Sequence, residues 1–163
     1  MKTVPARGLT ANDSTARGQI GQLFVREGKS YRYFKLKDVN AVVGTVVEYS
    51  SSVGCVTPDR AGGTSIGRVV AGVAVAPVTA GNYGWFQTEG TCSVYVAAKG
   101  VVAAGNPLAP HATTDGAVTS TVTYSHTTST TGIGATVFAY GMGADTATTT
   151  GAGLATAVLR RIA

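Results

Sequence analysis

Between residues 68 and 108 the chain reads RVVAGVAVAPVTAGNYGWFQTEGTCSVYVAAKGVVAAGNPL, short apolar runs cut every few residues by glycine, proline or asparagine. An amphipathic helix needs an apolar stripe that recurs every three or four residues over three turns, and runs this short and valine-rich satisfy a strand instead. The same phrase closes two of the runs, Val78-Thr-Ala-Gly-Asn82 and Val102-Ala-Ala-Gly-Asn106. One strand-then-turn device is therefore used twice, in a stretch that offers almost nothing able to do chemistry.

The same punctuation extends along the chain. Residues 29–37 alternate, with Arg32, Phe34 and Leu36 on one side and Tyr31, Tyr33, Lys35 and Lys37 on the other, so a strand with one polar, aromatic face is expected. Residues 41–49, AVVGTVVEY, read as a second strand, and residues 50–67 as mostly loop, with a turn at Asp59-Arg60-Ala61-Gly62-Gly63. Residues 68–75, 83–88, 92–97 and 100–103 follow as short strands, at the roughly 8 to 12 residue spacing of a sandwich or barrel. Asp115-Gly116 signals a hairpin, residues 118–124 alternate against a threonine face, and Phe138 and Tyr140 share a further strand. The threonine- and glycine-rich stretches at 127–134 and 144–153 are expected as exposed loops, and residues 154–162 as a terminal strand.

No segment carries a capped apolar stripe of helical length, so the fold class is read as all-β, a compact β-barrel or β-sandwich. Residues 1–17 have little periodic hydrophobicity and carry Pro5, Gly8, Asn12, Asp13 and Ser14, which makes them an extended N-terminal arm. The expected organisation is an arm over residues 1–18 and a single all-β domain over residues 19–163, a length that can bury a real core.

Charged residues make up only 13% of the chain, against about 25% in an ordinary soluble domain. Threonine, serine, alanine and glycine fill the deficit. Either partner subunits cover much of the surface or the exterior is simply bland. The net charge of +5 bears on association rather than on fold. No run has the length of a signal peptide or a membrane span, so no membrane is expected and assembly in the cytoplasm is the default. Without a secretory route the sequon at Asn12-Asp13-Ser14 has no meaning.

Two cysteines, Cys55 and Cys92, make neither a disulfide framework nor a metal set. Cys92 shares strand parity with Val94 and Val96, which favours a buried free thiol over a bridge to Cys55. His111 and His126 stand in turn-rich stretches with no second ligand at metal spacing, and the eight acids are scattered singly. No Gly-x-Ser-x-Gly occurs, and Gly132-Ile-Gly134 and Gly141-Met-Gly143 lack the remainder of a phosphate loop. The chain is not expected to be an enzyme, and no cofactor, metal or catalytic residue is assigned.

One constellation has a functional flavour. In Lys29-Ser-Tyr-Arg-Tyr-Phe-Lys-Leu-Lys37 basic and aromatic residues interleave as a platform for single-stranded nucleic acid requires. The competing reading is an exposed strand whose lysine and arginine stems cover the tyrosine rings and whose charges discourage edge pairing. Trp85 and Phe86 must point to opposite faces of their strand, one into the core and the other to an interface or under a loop.

Three stretches resemble the capsid decoration, or cement, proteins of tailed bacteriophages: Gly72-Val-Ala-Val75, Ala80-Gly-Asn-Tyr-Gly-Trp-Phe-Gln-Thr-Glu-Gly90 running into a strand, and Gly151-Ala-Gly-Leu-Ala-Thr-Ala-Val-Leu159. The likeness spans residues 30–163 and is one of strands and turns, not of an invariant chemical motif. It implies an all-β homo-oligomer, the trimer favoured, that sits on the outer surface of the virion head. There it binds the major capsid protein and clamps neighbouring subunits, using a terminal arm. On that reading Lys2, Arg7 and Arg17 are the capsid-contact candidates, and Trp85, Phe86, Tyr31 and Tyr33 belong to the body or a subunit interface. No nucleic acid is expected as a partner. The alternatives are another head or tail surface protein of the virion and a β-barrel that binds single-stranded nucleic acid.

Overall fold

The computed structural model describes residues 8–51, 54–56, 69–96, 102–111, 114–120, 139–142 and 153–160. Among them lie a 3-10 turn at Gly8–Thr10 and ten strands: β1 (Leu23–Arg26), β2 (Lys29–Leu36), β3 (Val46–Ser51), β4 (Gly54–Val56), β5 (Val70–Ala74), β6 (Tyr83–Val96), β7 (Pro107–Pro110), β8 (Val118–Ser120), β9 (Ala139–Gly141) and β10 (Gly153–Leu159). The fold is all-β.

The strands close into two rings of pairings. In the first, β2 pairs with β4 in parallel, and the circuit β4, β3, β5, β6 and back to β2 is antiparallel throughout. In the second, β6 pairs with β8 in parallel through Val96 and Val118, and β8, β7, β9, β10 and back to β6 are again antiparallel. Counted along the chain, each ring joins its first strand to its third in parallel and to its fifth antiparallel, with the remaining pairs antiparallel. The two rings have one topology, and β6 is the fifth strand of one and the first of the other.

That sharing overturns an expectation. Glu89-Gly90-Thr91 reads as a break between two short strands, yet β6 runs unbroken for 14 residues, where strands usually have about 5 or 6. The buried Gln87 amide supplies the reason: its Nε2 donates to the carbonyls of Glu89 and Thr91, both at 3.0 Å, and ties the strand across the bend at Gly90.

The glycine turns also prove to be one device, used four times among the described residues. In Gln19–Gln22, Val42–Thr45, Thr79–Asn82 and Ala103–Asn106 the last N–H donates to the first carbonyl at 3.0–3.1 Å. The third residue is always glycine, with φ between 77° and 86°, which a type II turn requires and a side chain resists. Each glycine N–H then donates to the carbonyl of one residue opposite, whose own N–H returns to the residue after the glycine: Tyr33, Ala74, Leu36 and Gly141 in turn. This is a β-bulge of the glycine type, which bends and twists a strand as it starts. Gly44 and Gly105 occupy equivalent places in the two rings, each ahead of the ring's second strand and opposite the end of its fourth.

Other expectations shift for local reasons. Residues 42–45 are the second of these turns, so the strand begins at Val46, and Val102 leads into the fourth turn, which Ala103 opens. Pro107 and Pro110 are compatible with β7 because they sit at its two ends. The hairpin β1–β2 turns on Glu27 and Gly28, with φ of 51° and 72°, the two positive values of a type I′ turn. The hairpin at Asp115-Gly116 joins β7 to β8 as expected, and β10 is the expected terminal strand. The turn read at 59–63 and the loops at 127–134 and 144–152 lie outside the described residues.

Three apolar clusters follow from this layout. The interior of the first ring holds Phe34, Leu36, Val47, Cys55, Ala71 and Phe86. The second ring holds Cys92, Val94, Val96, Leu108, Ala157 and Leu159, in one cluster with Val46, Val70 and Val73 of the first. The third, aromatic, lies on the outer face of β2 and β6.

Candidate functional site

The outer face of the first ring is closed by its own chain. Tyr31, Tyr33, Tyr83 and Trp85 project from β2 and β6 away from the ring interior, and Phe24 of β1 joins them. Tyr33 lies 5.1 Å from Trp85 and stacks on Tyr83 at 5.9 Å, and Phe24 meets Trp85 at 5.9 Å. Leu9 and Ala11 cover the cluster. The cover is fastened by backbone bonds between Asp13 and Tyr83 and by the Arg17 N–H donating to the Tyr33 hydroxyl at 3.3 Å. Asn12 adds a clamp, accepting from the Thr79 N–H and the Asn82 amide at 3.0 and 2.9 Å.

The residues singled out in the sequence are thus placed as follows. Tyr31 and Tyr33, on the strand face expected to be exposed, are 6% and 2% exposed, and burial raises both phenol pKa values. The expectation of an open aromatic face is corrected: alternation located the face, but residues 8–17 and β1 cover it. Stacking onto bases needs a free ring face, and these rings have none to offer. Lys35 lies over the Tyr83 ring at 5.6 Å. Phe86 fills the first ring and Trp85 sits under the N-terminal segment, so the two do point to opposite faces and both are buried. Arg17 is exposed on the surface and pairs with the buried Asp13 carboxylate at 3.2 Å. Lys2, Arg7 and His126 lie outside the described residues. His111 accepts from the Thr114 N–H at 3.0 Å within the β7–β8 turn. Both cysteines are free and buried.

The equivalent outer face of the second ring carries exposed and half-buried side chains. From β6 it presents Thr91, Ser93 and Tyr95, from β10 Leu154, Thr156 and Val158, and from β9 and its end Tyr140 and Met142. Leu154 sits opposite Tyr95, Thr156 opposite Ser93, and Val158 between Thr91 and Tyr140. Val42 and Val43 extend the patch, because the turn that carries them accepts the Tyr95 N–H on the Gly44 carbonyl at 2.9 Å. Met142, Val42, Leu154 and Val43 are 54%, 53%, 37% and 36% exposed. None of these ten residues is an acid, a base or a histidine. Arg160 stands at the border, its guanidinium 5.4 Å over the Tyr140 ring.

The contrast continues a segregation along the whole chain. Of thirteen basic and eight acidic residues, only Lys99, Asp115 and Asp145 fall between Gly90 and Leu159. Among the described residues the charged side chains therefore lie mostly on the first ring and its N-terminal segment, with Asp115 and Arg160 the exceptions in the second. Sequence reasoning noted the low charge but not its division, because the boundary is visible only once β6 is known to be shared.

No family model matches the sequence, and no curated protein matches it. Among solved structures the chain is similar to the head fiber gp8.5 N base of bacteriophage phi29, with 18% identity over 81% of this chain and 94% of that one, at a TM-score of 0.49.

Proposed function

We propose that this chain is a structural protein of a tailed-bacteriophage head, a decoration protein that attaches to the outer surface of the shell and clamps neighbouring major capsid subunits. The observation that carries the reading is the segregation of charge. A body with one ring that carries most of the charge and one, threonine-rich, that carries little is suited to being covered on one side while it faces water on the other. The three stretches that resemble decoration proteins support it: of residues 72–75, 80–90 and 151–159, the described parts lie in and just after β5, across the Thr79–Asn82 turn into β6, and in β10.

Such a protein works by burying surface across subunit boundaries, so that outward pressure must first break those contacts. Because it binds the assembled shell and not separated subunits, it adds about 2.7 kcal/mol per site when its free concentration is a hundredfold above Kd. Lys2 and Arg7 remain the arm cations on this reading. Arg17, held by Asp13, belongs to the N-terminal segment that covers the body.

The test is co-sedimentation of the purified chain with shells built from a tailed-phage major capsid protein, beside a chain lacking residues 1–7. The full chain is expected to pellet with shells at a fixed ratio to the capsid subunit, and the truncated chain to stay folded and lose occupancy. A full chain that ignores shells but binds oligonucleotides with steep salt dependence overturns the reading in favour of a nucleic-acid barrel.

A further inference from the structure

We infer that the outer edge of β1 is a docking site for an extended, acidic segment of another protein, which adds to the sheet as a strand. Among the described residues each of the other nine strands has a hydrogen-bonded neighbour on either side, because the two rings close. β1 pairs with β2 alone. The Tyr33 N–H donates to the Gln22 carbonyl, so the doubly bonded pairs of the hairpin are Phe24 with Tyr31 and Arg26 with Lys29. By that alternation the N–H and C=O groups of Leu23 and Val25 point away from β2. Their side chains are 36% and 61% exposed, and Val25 is the most exposed large apolar residue described. Such an edge is ordinarily blunted by a lysine, a proline or a bulge, and Leu23, Phe24 and Val25 supply none of these.

The surroundings of the edge specify the occupant. Main-chain donors and acceptors at strand spacing are matched by another extended backbone. On the side of the hairpin opposite the aromatic cluster, Leu23 stands across from Arg32 and Val25 from Ser30. The Arg32 Nε is buried without a hydrogen-bond partner, and a guanidinium can only donate. What this side of the edge lacks is therefore an acceptor, and a carboxylate is the strongest one. Arg26, its side chain 59% exposed, and Lys29 extend the positive charge to the hairpin tip. The acids beside them are engaged, since Glu27 pairs with Arg26 at 3.0 Å and Glu89 accepts from the Ser30 hydroxyl at 2.9 Å. A second copy of this edge would bring the same cations and no spare carboxylate, whereas an acidic segment matches the edge in both backbone and charge.

The inference does not depend on the shell reading, since it is tested on the purified chain with the capped peptide Thr-Val-Glu-Val-Thr as probe. At millimolar peptide the Leu23 and Val25 amide resonances are expected to shift and their exchange with solvent to slow, and the Arg32 Nε–H resonance is expected to move. Glutamine in place of the peptide's glutamate should raise the dissociation constant about threefold or more. Val25→Pro removes an outward N–H and no bond to β2, so it should keep the urea midpoint and abolish the response. The glutamine peptide tests the same point on the unaltered chain. No shift at millimolar peptide, equal affinity for the two peptides, or a response that survives Val25→Pro each overturns the inference. Shifts at Leu23 and Val25 that grow with protein concentration in the absence of peptide would make a second copy the occupant and overturn it too. A chain that pellets with shells but ignores the peptide overturns this inference and leaves the decoration reading intact.

Discussion

Asp13 and Tyr83 exchange both backbone hydrogen bonds, at 3.0 and 2.8 Å, and that pair helps make residues 8–17 part of the body. Trp85, the only tryptophan, lies beneath them at 3% exposure and so reports on the cover. Removing residues 1–17 is expected to red-shift tryptophan emission and to cost roughly 2–4 kcal/mol, the value of uncovering large aromatic surface. Removing residues 1–7 should change neither emission nor the urea midpoint. Equal midpoints for the two truncations would refute the cover.

The four bulged turns separate backbone strain from crowding. A Cβ at Gly81 meets nothing within 4 Å, so Gly81→Ala bears only the strain of a positive φ of 84°, about 1–2 kcal/mol. A Cβ at Gly44 falls 2.7 Å from the Tyr95 nitrogen and 2.8 Å from Leu154 Cδ2. Gly44→Ala should therefore cost clearly more, by chemical denaturation, than the same change at Gly81, and should perturb the Tyr95–Leu154 patch. Similar costs at the two sites would mean that the turn does not press on β6.

Gln87→Met keeps the volume but removes two donors and strands the Glu89 and Thr91 carbonyls. The expected loss is about 1–3 kcal/mol, accompanied by faster amide exchange on both sides of Gly90. Because β6 belongs to both rings, the wild-type chain should unfold in one transition followed identically by tryptophan emission and far-UV dichroism. Two separated transitions in the wild type would show that the rings are independent.

Alkaline pH should weaken the fold. Burial pushes the Cys92 thiol up to about 12 and raises Cys55 as well, and it raises the phenols of Tyr31, Tyr33 and Tyr49. The folded chain keeps protons that the unfolded chain releases from about pH 9, so this stability is complete below about pH 9 and declines as pH rises towards 12. Urea midpoints should fall progressively above about pH 9, and a thiol reagent near pH 8 should label neither cysteine until the chain unfolds. A midpoint flat up to about pH 11 would contradict the burial of these groups.

What the sequence disclosed depended on how local each cause is. Alternation at Cys92, Val94 and Val96 was enough to place Cys92 in a core, and Asp115-Gly116 enough for a hairpin, because both are written in adjacent residues. The resemblance of residues 78–82 to 102–106 exposed a real turn device but hid the internal equivalence. Gly105 corresponds in the ring plan to Gly44, whose neighbours Val43 and Thr45 share nothing with Ala104 and Asn106, since such a bulge demands only the glycine. β6 reads as two strands in the sequence because the tether across Gly90 is a side chain acting at a distance. Alternation puts Tyr31 and Tyr33 on one face but does not show its cover, since residues 8–17 pack through Ala11 and backbone bonds and leave no periodic trace. The outer face of the second ring has the plainest pattern of all in Thr91, Ser93 and Tyr95, but alternation alone does not tell an exposed outer face from a covered one.

The shared strand also determines how the molecule carries load. If each ring is gripped by a different neighbour, tension between the grips passes along the covalent backbone of β6 rather than across a non-covalent joint between modules. The ladders to β2 and β10 lie on opposite halves of that strand, with their bonds perpendicular to the pull. They are then strained in shear, many bonds together, instead of being unzipped one at a time. A tether built this way yields by losing a whole strand, not by parting at a seam.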